Sequence, residues 1–255
     1  MKLDLPSQTE SAHPVSKVPA QAQPPRAGIL IRCEPLPYEI AWSLQRACRT
    51  ERAADRCDDL LLLLEHPSVF TVGRTTQDQH WPGELRLTQE SGIPVIRTER
   101  GGSITYHGPG QLVGYPILSL AEHHLAVSDY MHLLEEAVIR TLSDFGIQAQ
   151  RRQSLIGVWV GESKVAALGA RIQQGITFHG LAINVAPNLA HFDLIVPCGL
   201  PAVKITSMQK ELGRKPDLSR VRQRTAVNLC LLLGTSKQEV SLPELLSQAG
   251  LPPPA

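Results

Sequence analysis

The sequence predicts an α+β fold, with a mixed or antiparallel sheet flanked by helices. Three observations predict it. Two long segments, Ser128 to Phe145 and Asp217 to Leu233, repeat apolar residues at helical spacing. Three strand-like runs follow one another directly: Leu155–Val160, Lys164–Ile172 and Thr177–Val185. Their links, Gly161-Glu-Ser163 and Gln173-Gln-Gly175, are short enough for hairpins. Finally, helix and strand signals alternate without the regular spacing of β-α-β units.

Taken in order, Gly28-Ile-Leu-Ile-Arg-Cys33 reads as a strand. Pro37 to Cys48 reads as a helix with proline in its first turn and Ile40, Ala41, Leu44 and Ala47 on one face. Leu60–Glu65 and Val69–Val72 read as a strand pair joined through His66-Pro67, and Ile93–Thr98 as a further short strand. Gln111–Leu118 is another strand, whose Gly114 and Pro116 suggest a sheet edge or a bend. In the helix from Ser128, residues Tyr130, Leu133, Leu134, Ala137, Val138, Thr141, Leu142 and Phe145 share a face; Ser128 is its expected cap and Gly146 its stop. The second long helix starts at a capping Asp217 and ends at Gly234.

Composition bounds the function. The chain has 255 residues, and 42% are hydrophobic, enough for a sizeable core. A net charge of +1 gives no electrostatic case for nucleic acid or an anionic membrane. The five leucines of Leu60–Leu64 are far too few to span a bilayer and read as a buried strand. The five cysteines (33, 48, 57, 198, 230) include no Cys-x-x-Cys pair. They argue against a disulfide framework or zinc ribbon and for a reducing, cytoplasmic setting. Residues 1–27 hold five prolines and no apolar periodicity, so a disordered tail is expected before a catalytic domain over 28–235. Residues 236–255 read as a C-terminal extension with a frayed end.

Three segments carry candidate chemistry. Cys198 sits in His191-Phe-Asp-Leu-Ile-Val-Pro-Cys-Gly-Leu200, between a stiffening proline and a permissive glycine. Arg100-Gly-Gly-Ser-Ile-Thr-Tyr-His-Gly-Pro-Gly110 packs four glycines into eleven residues, a loop that lets a ligand approach the main chain. It is neither a P-loop nor a dinucleotide fingerprint. Gly161-Glu-Ser-Lys-Val-Ala-Ala-Leu-Gly169 opens a strand with Lys164. An ammonium beside Cys198 would favour its thiolate, moving the thiol down from about 8.5. Separation in sequence does not show that they meet. His107 and His179 read as hydrogen-bonded scaffold residues before catalysts. A zinc site from His179, His191 and Cys198 matches no compact ligand spacing.

Together these segments resemble the octanoyltransferases of lipoic acid biosynthesis. That family carries Arg-Gly-Gly-x-x-Thr-Tyr-His-Gly-Pro-Gly-Gln, matched by Arg100 to Gln111, and Phe-His-Gly-Leu-Ala-x-Asn-Val, matched by Phe178 to Val185. It carries Gly-x-Lys-Ile/Val-Ala-Ala-x-Gly, matched by Gly161 and Lys164 to Gly169, with Glu162-Ser163 as two residues where the family often has one. It carries Phe-x-x-Ile-x-Pro-Cys-Gly, matched by Phe192 to Gly199. The resemblance runs from about Ile29 to about Leu233, leaving both tails uncovered.

The resemblance implies a fold shared with lipoate and biotin protein ligases. It implies that Cys198 takes the octanoyl group as a thioester and that Lys164 pairs with it. The acyl pocket would be lined by Arg100, Gly101, Gly102, Ser103, Ile104, Thr105, Tyr106 and His107, by Ala167, Leu168 and Gly169, and by Gly180, Leu181 and Ala182, with His179 in support. The implied donor is octanoyl-acyl carrier protein. The implied acceptors are lipoyl domains of 2-oxo acid dehydrogenases and the glycine cleavage H protein. No cofactor and no metal are expected, because a thioester donor is already activated. Arg151-Arg152 and Arg214-Lys215 are basic clusters that could dock an acidic carrier. Two other readings use the same fold: an ATP-dependent lipoate or biotin ligase, which needs no cysteine nucleophile, and an amidotransferase moving the acyl group between lipoyl domains. A catalytically idle carrier-domain binder is the third alternative; retention of both Cys198 and Lys164 argues against it.

Overall fold

A computed structural model describes residues 28–32, 35–197 and 203–244. Its strands are β1 (Gly28–Arg32), β2 (Leu60–Leu64), β3 (Val69–Val72), β4 (Val95–Arg97), β5 (Thr105–His107), β6 (Gln111–Ile117), β7 (Gln150–Arg152), β8 (Leu155–Val160), β9 (Ser163–Gln173), β10 (Ile176–Asn184), β11 (Lys204–Ile205) and β12 (Lys237–Ser241). Its helices are α1 (Tyr38–Ala53), α2 (Glu84–Ser91), α3 (Val127–Ser143), α4 (Met208–Leu212) and α5 (Leu218–Leu233). Among the described residues no helix is long and apolar enough to cross a membrane.

The large sheet runs β12-β1-β2-β6-β10-β9-β8-β7, with β11 on the start of β9; a small sheet runs β4-β3-β5. The large sheet is mixed: β1 is parallel to β12 and β2, whereas β2 through β9 pair antiparallel. Side chains alternate across it, and both faces are covered. Leu61 and Leu63 pack with Leu134 and Val138 of α3 and Leu229 of α5. Leu60, Leu62 and Leu64 pack on the other face with Ala41 and Leu44 of α1. An unbroken leucine run therefore suits β2, where neither face meets water. The small sheet has its own core, with Phe70, Tyr106, Leu87 of α2, and Phe192.

Several sequence expectations change. Leu60–Glu65 and Val69–Val72 are not a pair. β2 already has β1 and β6 on its two sides, so after His66-Pro67 the chain passes to the small sheet, where β3 pairs with β4 and β5. β6 is not an edge but lies between β2 and β10. Pro116 has no N–H for the ladder, and opposite it His179 takes a left-handed φ of 54°. The His179 N–H goes to Gln45 Oε1 at 2.8 Å, and the Pro116 carbonyl accepts from Thr177 Oγ1 at 2.8 Å. The bend expected from Pro116 is thus absorbed by its partner strand.

Ser128 does not cap α3. It lies in the first turn, and the N–H of Ala126 reaches Asp129 Oδ2 instead. Asp217 caps α5 by accepting from Ser219 N at 2.9 Å, and Gly234 ends that helix with φ 66°. β12 joins the large sheet beside β1, so the stretch read as an extension from residue 236 carries an edge strand. The tail over 1–27 lies outside the described residues.

Candidate active site

A cavity of about 390 Å³ runs along the β9–β10 hairpin under the Arg100–Ser103 loop. Its wall contains Arg100, Gly101, Gly102, Ser103, Ile104, Thr105 and His107, then Lys164, Ala167, Leu168 and Gly169, then His179, Gly180, Leu181 and Ala182. Three motifs distant in sequence therefore share one space. Register explains it: Ala167 faces Ala182, Leu168 faces Leu181, and Gly169 faces Gly180 across the hairpin. The loop is tied to the hairpin by the Gly101 N–H on the Ala170 carbonyl at 3.2 Å. A Cβ on Gly169 would lie 2.8 Å from the Gly101 carbonyl, so this glycine lets the two segments meet.

Tyr106 is the exception. On the three-residue strand β5 its side chain points away from the cavity and packs in the small-sheet core, with ring centroids 5.5 Å from Phe70 and 5.5 Å from Phe192. Its hydroxyl meets Ser68 Oγ at 3.0 Å. Thr105 and His107, one residue either way, line the cavity, as alternation requires. His191 sits with Tyr106, at 4.7 Å between centroids, while His179 faces the cavity.

Arg100 is a clamp. Its guanidinium donates to Thr71 Oγ1 at 3.0 Å, to the Thr71 carbonyl at 2.5 Å and to the Gly101 carbonyl at 3.0 Å. The loop's own carbonyls at Arg100 and Gly102 accept from Arg74 and Thr75. Ser103 is not incidental: its hydroxyl meets His80 Nδ1 at 2.7 Å, and the His80 carbonyl accepts from Val196 N at 2.8 Å. The loop is thereby joined to the segment that leads into Cys198.

Three buried histidines, His66, His107 and His179, favour the neutral form. Burial, with His66 and Arg100 nearby, holds His107 well below the usual imidazole value. Its Nδ1 lies 2.7 Å from Gln111 Oε1. Gln111 Nε2 donates to the Tyr106 carbonyl and to Asn184 Oδ1, and Asn184 Nδ2 donates to the Thr206 carbonyl. Each amide orientation is fixed by the next, so the Gln111 oxygen accepts, Nδ1 of His107 carries the proton and Nε2 keeps its lone pair. Burial lowers His179 to about 3, with Arg100, Arg171 and Arg46 adding to it. Burial lowers His66 to about 4. His66 Nε2 meets Tyr115 OH at 2.7 Å and Tyr38 OH lies 3.5 Å from His179 Nδ1, so Tyr38, His66, Tyr115 and His179 close the end of the cavity near Ala170.

Lys164 marks the other end, six residues back along β9 and roughly 20 Å away at strand rise. It is 3% exposed, its Nζ donates to the Ile156 carbonyl at 2.7 Å, and it lies 5.4 Å from the Trp159 ring centroid. Gly157 makes the space: a Cβ there would collide with Lys164 Cε and sit 2.8 Å from Nζ. Ile156, whose carbonyl accepts from Lys164, is exposed and gives this side an apolar rim. Cys198 lies outside the described residues. The chain after it returns to β9, where Ile205 is the register partner of Lys164. Among the described residues no group of three His, Cys, Asp or Glu side chains could hold a metal ion.

Sequence reasoning missed Tyr38, Tyr115, Met131 and Ile156 of the wall, which carry no motif. It also missed Gly157, although a glycine inside a strand pattern signals close approach. Of the basic clusters, Arg151 is bound to Glu135 and Glu136 at 3.2 and 2.9 Å and Arg152 covers the Trp159 ring at 5.2 Å.

The chain is similar to known proteins in sequence and in fold. The family described as "Lipoyl protein ligase A/B catalytic domain" matches residues 37–229. An octanoyltransferase of Chloroflexus aggregans is 43% identical over 201 residues, covering 76% of this chain and 90% of that protein. One from Syntrophobacter fumaroxidans is 40% identical over 220 residues, covering 86% and 96%. A solved lipoate-protein ligase A bound with ATP superposes with a TM-score of 0.68 at 16% identity, covering 88% of this chain and 93% of that one, and so shares the fold. The chain belongs to the lipoyl protein ligase A/B family, among its octanoyltransferases, and is an acyltransferase that moves octanoyl groups in protein lipoylation.

Proposed function

We propose that the chain takes an octanoyl group from octanoyl-acyl carrier protein onto Cys198 and passes it to a lysine of a lipoyl domain, in 2-oxo acid dehydrogenases or the glycine cleavage H protein. The observation that carries this reading is Lys164, a buried lysine whose amine is held at one end of a cavity walled by three of the four motif segments. An ammonium there, with the chain from Cys198 returning alongside in β11, suits stabilisation of a thiolate. The thiolate attacks the thioester carbonyl, a new C–S bond forms, and the carrier thiol leaves with a proton. The acceptor amine then attacks the acyl carbon, the C–N bond forms, and Cys198 regains its thiol as the amine loses a proton. A thioester is exchanged for a thioester and then for an amide, so neither ATP nor metal is required. The largely apolar stretch of wall between Lys164 and Ala170, with Ala167, Leu168, Leu181 and Ala182, suits an aliphatic chain.

Because the fold is shared with an ATP-binding ligase, the donor is the point to test. Octanoyl-acyl carrier protein with an apo lipoyl domain should give octanoylated domain without ATP, and Cys198→Ala should not. Product formed only from free octanoate and ATP would make the chain a ligase. Product formed only from an already octanoylated domain would make it an amidotransferase.

A further inference from the structure

One peptide unit, between Ile156 and Gly157, is held on both sides. Its carbonyl accepts from Lys164 Nζ at 2.7 Å. Its N–H donates to Glu135 Oε1 at 2.9 Å. Glu135 comes from α3, is 5% exposed, and places its other oxygen 3.2 Å from Arg151 Nε. It stands between Leu134 and Val138, which are core residues. A carboxylate buried beside a hydrophobic core is costly unless its bonds are made, and here they are made to a peptide and an arginine. Hydrogen bonds to an ionised acceptor are about twice as strong as neutral ones. A peptide that donates to an anion also accepts more strongly at its own carbonyl, because linked hydrogen bonds polarise one another. Gly157 has φ of 132°, which favours glycine, and the absent Cβ leaves room for the lysine stem.

We propose that Glu135 is a positioning residue for acyl transfer: it sets the Ile156–Gly157 peptide, and through that peptide the place of the Lys164 amine, with Arg151 steadying the carboxylate. This rests on the pairing of Lys164 with Cys198 described above. The carboxylate touches no reacting atom. It acts by fixing the acceptor against which the lysine lies.

The test is the pH profile of Cys198 alkylation by iodoacetamide, read on the Cys198 peptide by mass spectrometry, in the full chain. Lys164→Ala is the reference and should move the midpoint upward, lowering labelling at pH 7 by about tenfold if the shift is one unit. Glu135→Ala should move it the same way. Glu135→Asp keeps the charge and the Arg151 pair but draws the carboxylate back from the Gly157 N–H, and should also raise the midpoint, while Glu135→Gln, which can still accept from that N–H, should restore most of it. A shift in Lys164→Ala with wild-type profiles in folded Glu135→Ala or Glu135→Asp would overturn the role of Glu135. An unshifted Lys164→Ala would instead overturn the pairing on which it rests.

Discussion

Near Ala170, the cavity ends in four rings, Tyr38, His66, Tyr115 and His179, packed together without a charge. Near Lys164, it ends in a buried amine, a glycine that yields space to it, and the exposed apolar side chain of Ile156. Strand β9 runs between the two ends, from Lys164 to Ala170. They differ in what burial does. At the ring end burial, with arginines nearby, strips protons from the imidazoles, so the rings themselves are neutral. At the lysine end the amine is met by a carbonyl, and through one peptide by a carboxylate, so a functional group is kept in place beside an opening. On the proposed reading, one end serves as a container and the other as the working end.

The comparison breaks most sharply at Gly157. Gly157→Ala places a methyl group against Lys164, and misplacing a reacting group by about 1 Å can lower kcat by about 100-fold. Octanoyl transfer should fall by that order while the free energy of unfolding, from urea titration, falls by about 1–3 kcal/mol, the usual strain at such a φ. Wild-type kcat in this variant would mean that the lysine's position does not matter.

The ring end responds to acid. Unfolded histidines titrate near 6.5, whereas folded His66 and His179 sit at about 4 and about 3 and His107 well below the ordinary value. Between those values the unfolded chain binds more protons, so stability is full above about pH 6.5 and declines as pH falls towards 4. At pH 5.5 unfolding should take up about three protons on these histidines, measurable from the slope of unfolding free energy with pH. A flat stability between pH 7 and 5 would show that these rings are charged or exposed.

The smallest effect belongs to Tyr106, inside a cavity motif but turned from the cavity. Tyr106→Phe loses the bond to Ser68, worth about 1 kcal/mol, and should leave kcat unchanged. A large loss of transfer would return this residue to the site.

The fold class was legible because α3, α5 and the β8–β9–β10 run carry strong periodicity, and Asp217 and Gly234 supply local caps. What escaped depends on partners outside the local window. Nothing in Leu60–Leu64 says that both its neighbours are taken, so the pairing with Val69–Val72 was misread. Nothing near Pro116 says that His179 will bend in its place. At the candidate site, glycines and a lysine in motif spacing named residues that line one cavity, and strand alternation turns Tyr106 away from it. Glu135 had no signal beyond being a carboxylate beside apolar neighbours on a helix, and its role appears only when α3 meets Gly157.

The central claim is that a thiol at Cys198 carries the acyl group between donor and acceptor. Intact-mass spectrometry of the chain mixed with octanoyl-acyl carrier protein, without acceptor, tests it most directly. The account predicts a gain of one octanoyl group that hydroxylamine removes and that Cys198→Ser lacks. An unmodified mass in a preparation that still completes transfer to a lipoyl domain would contradict it.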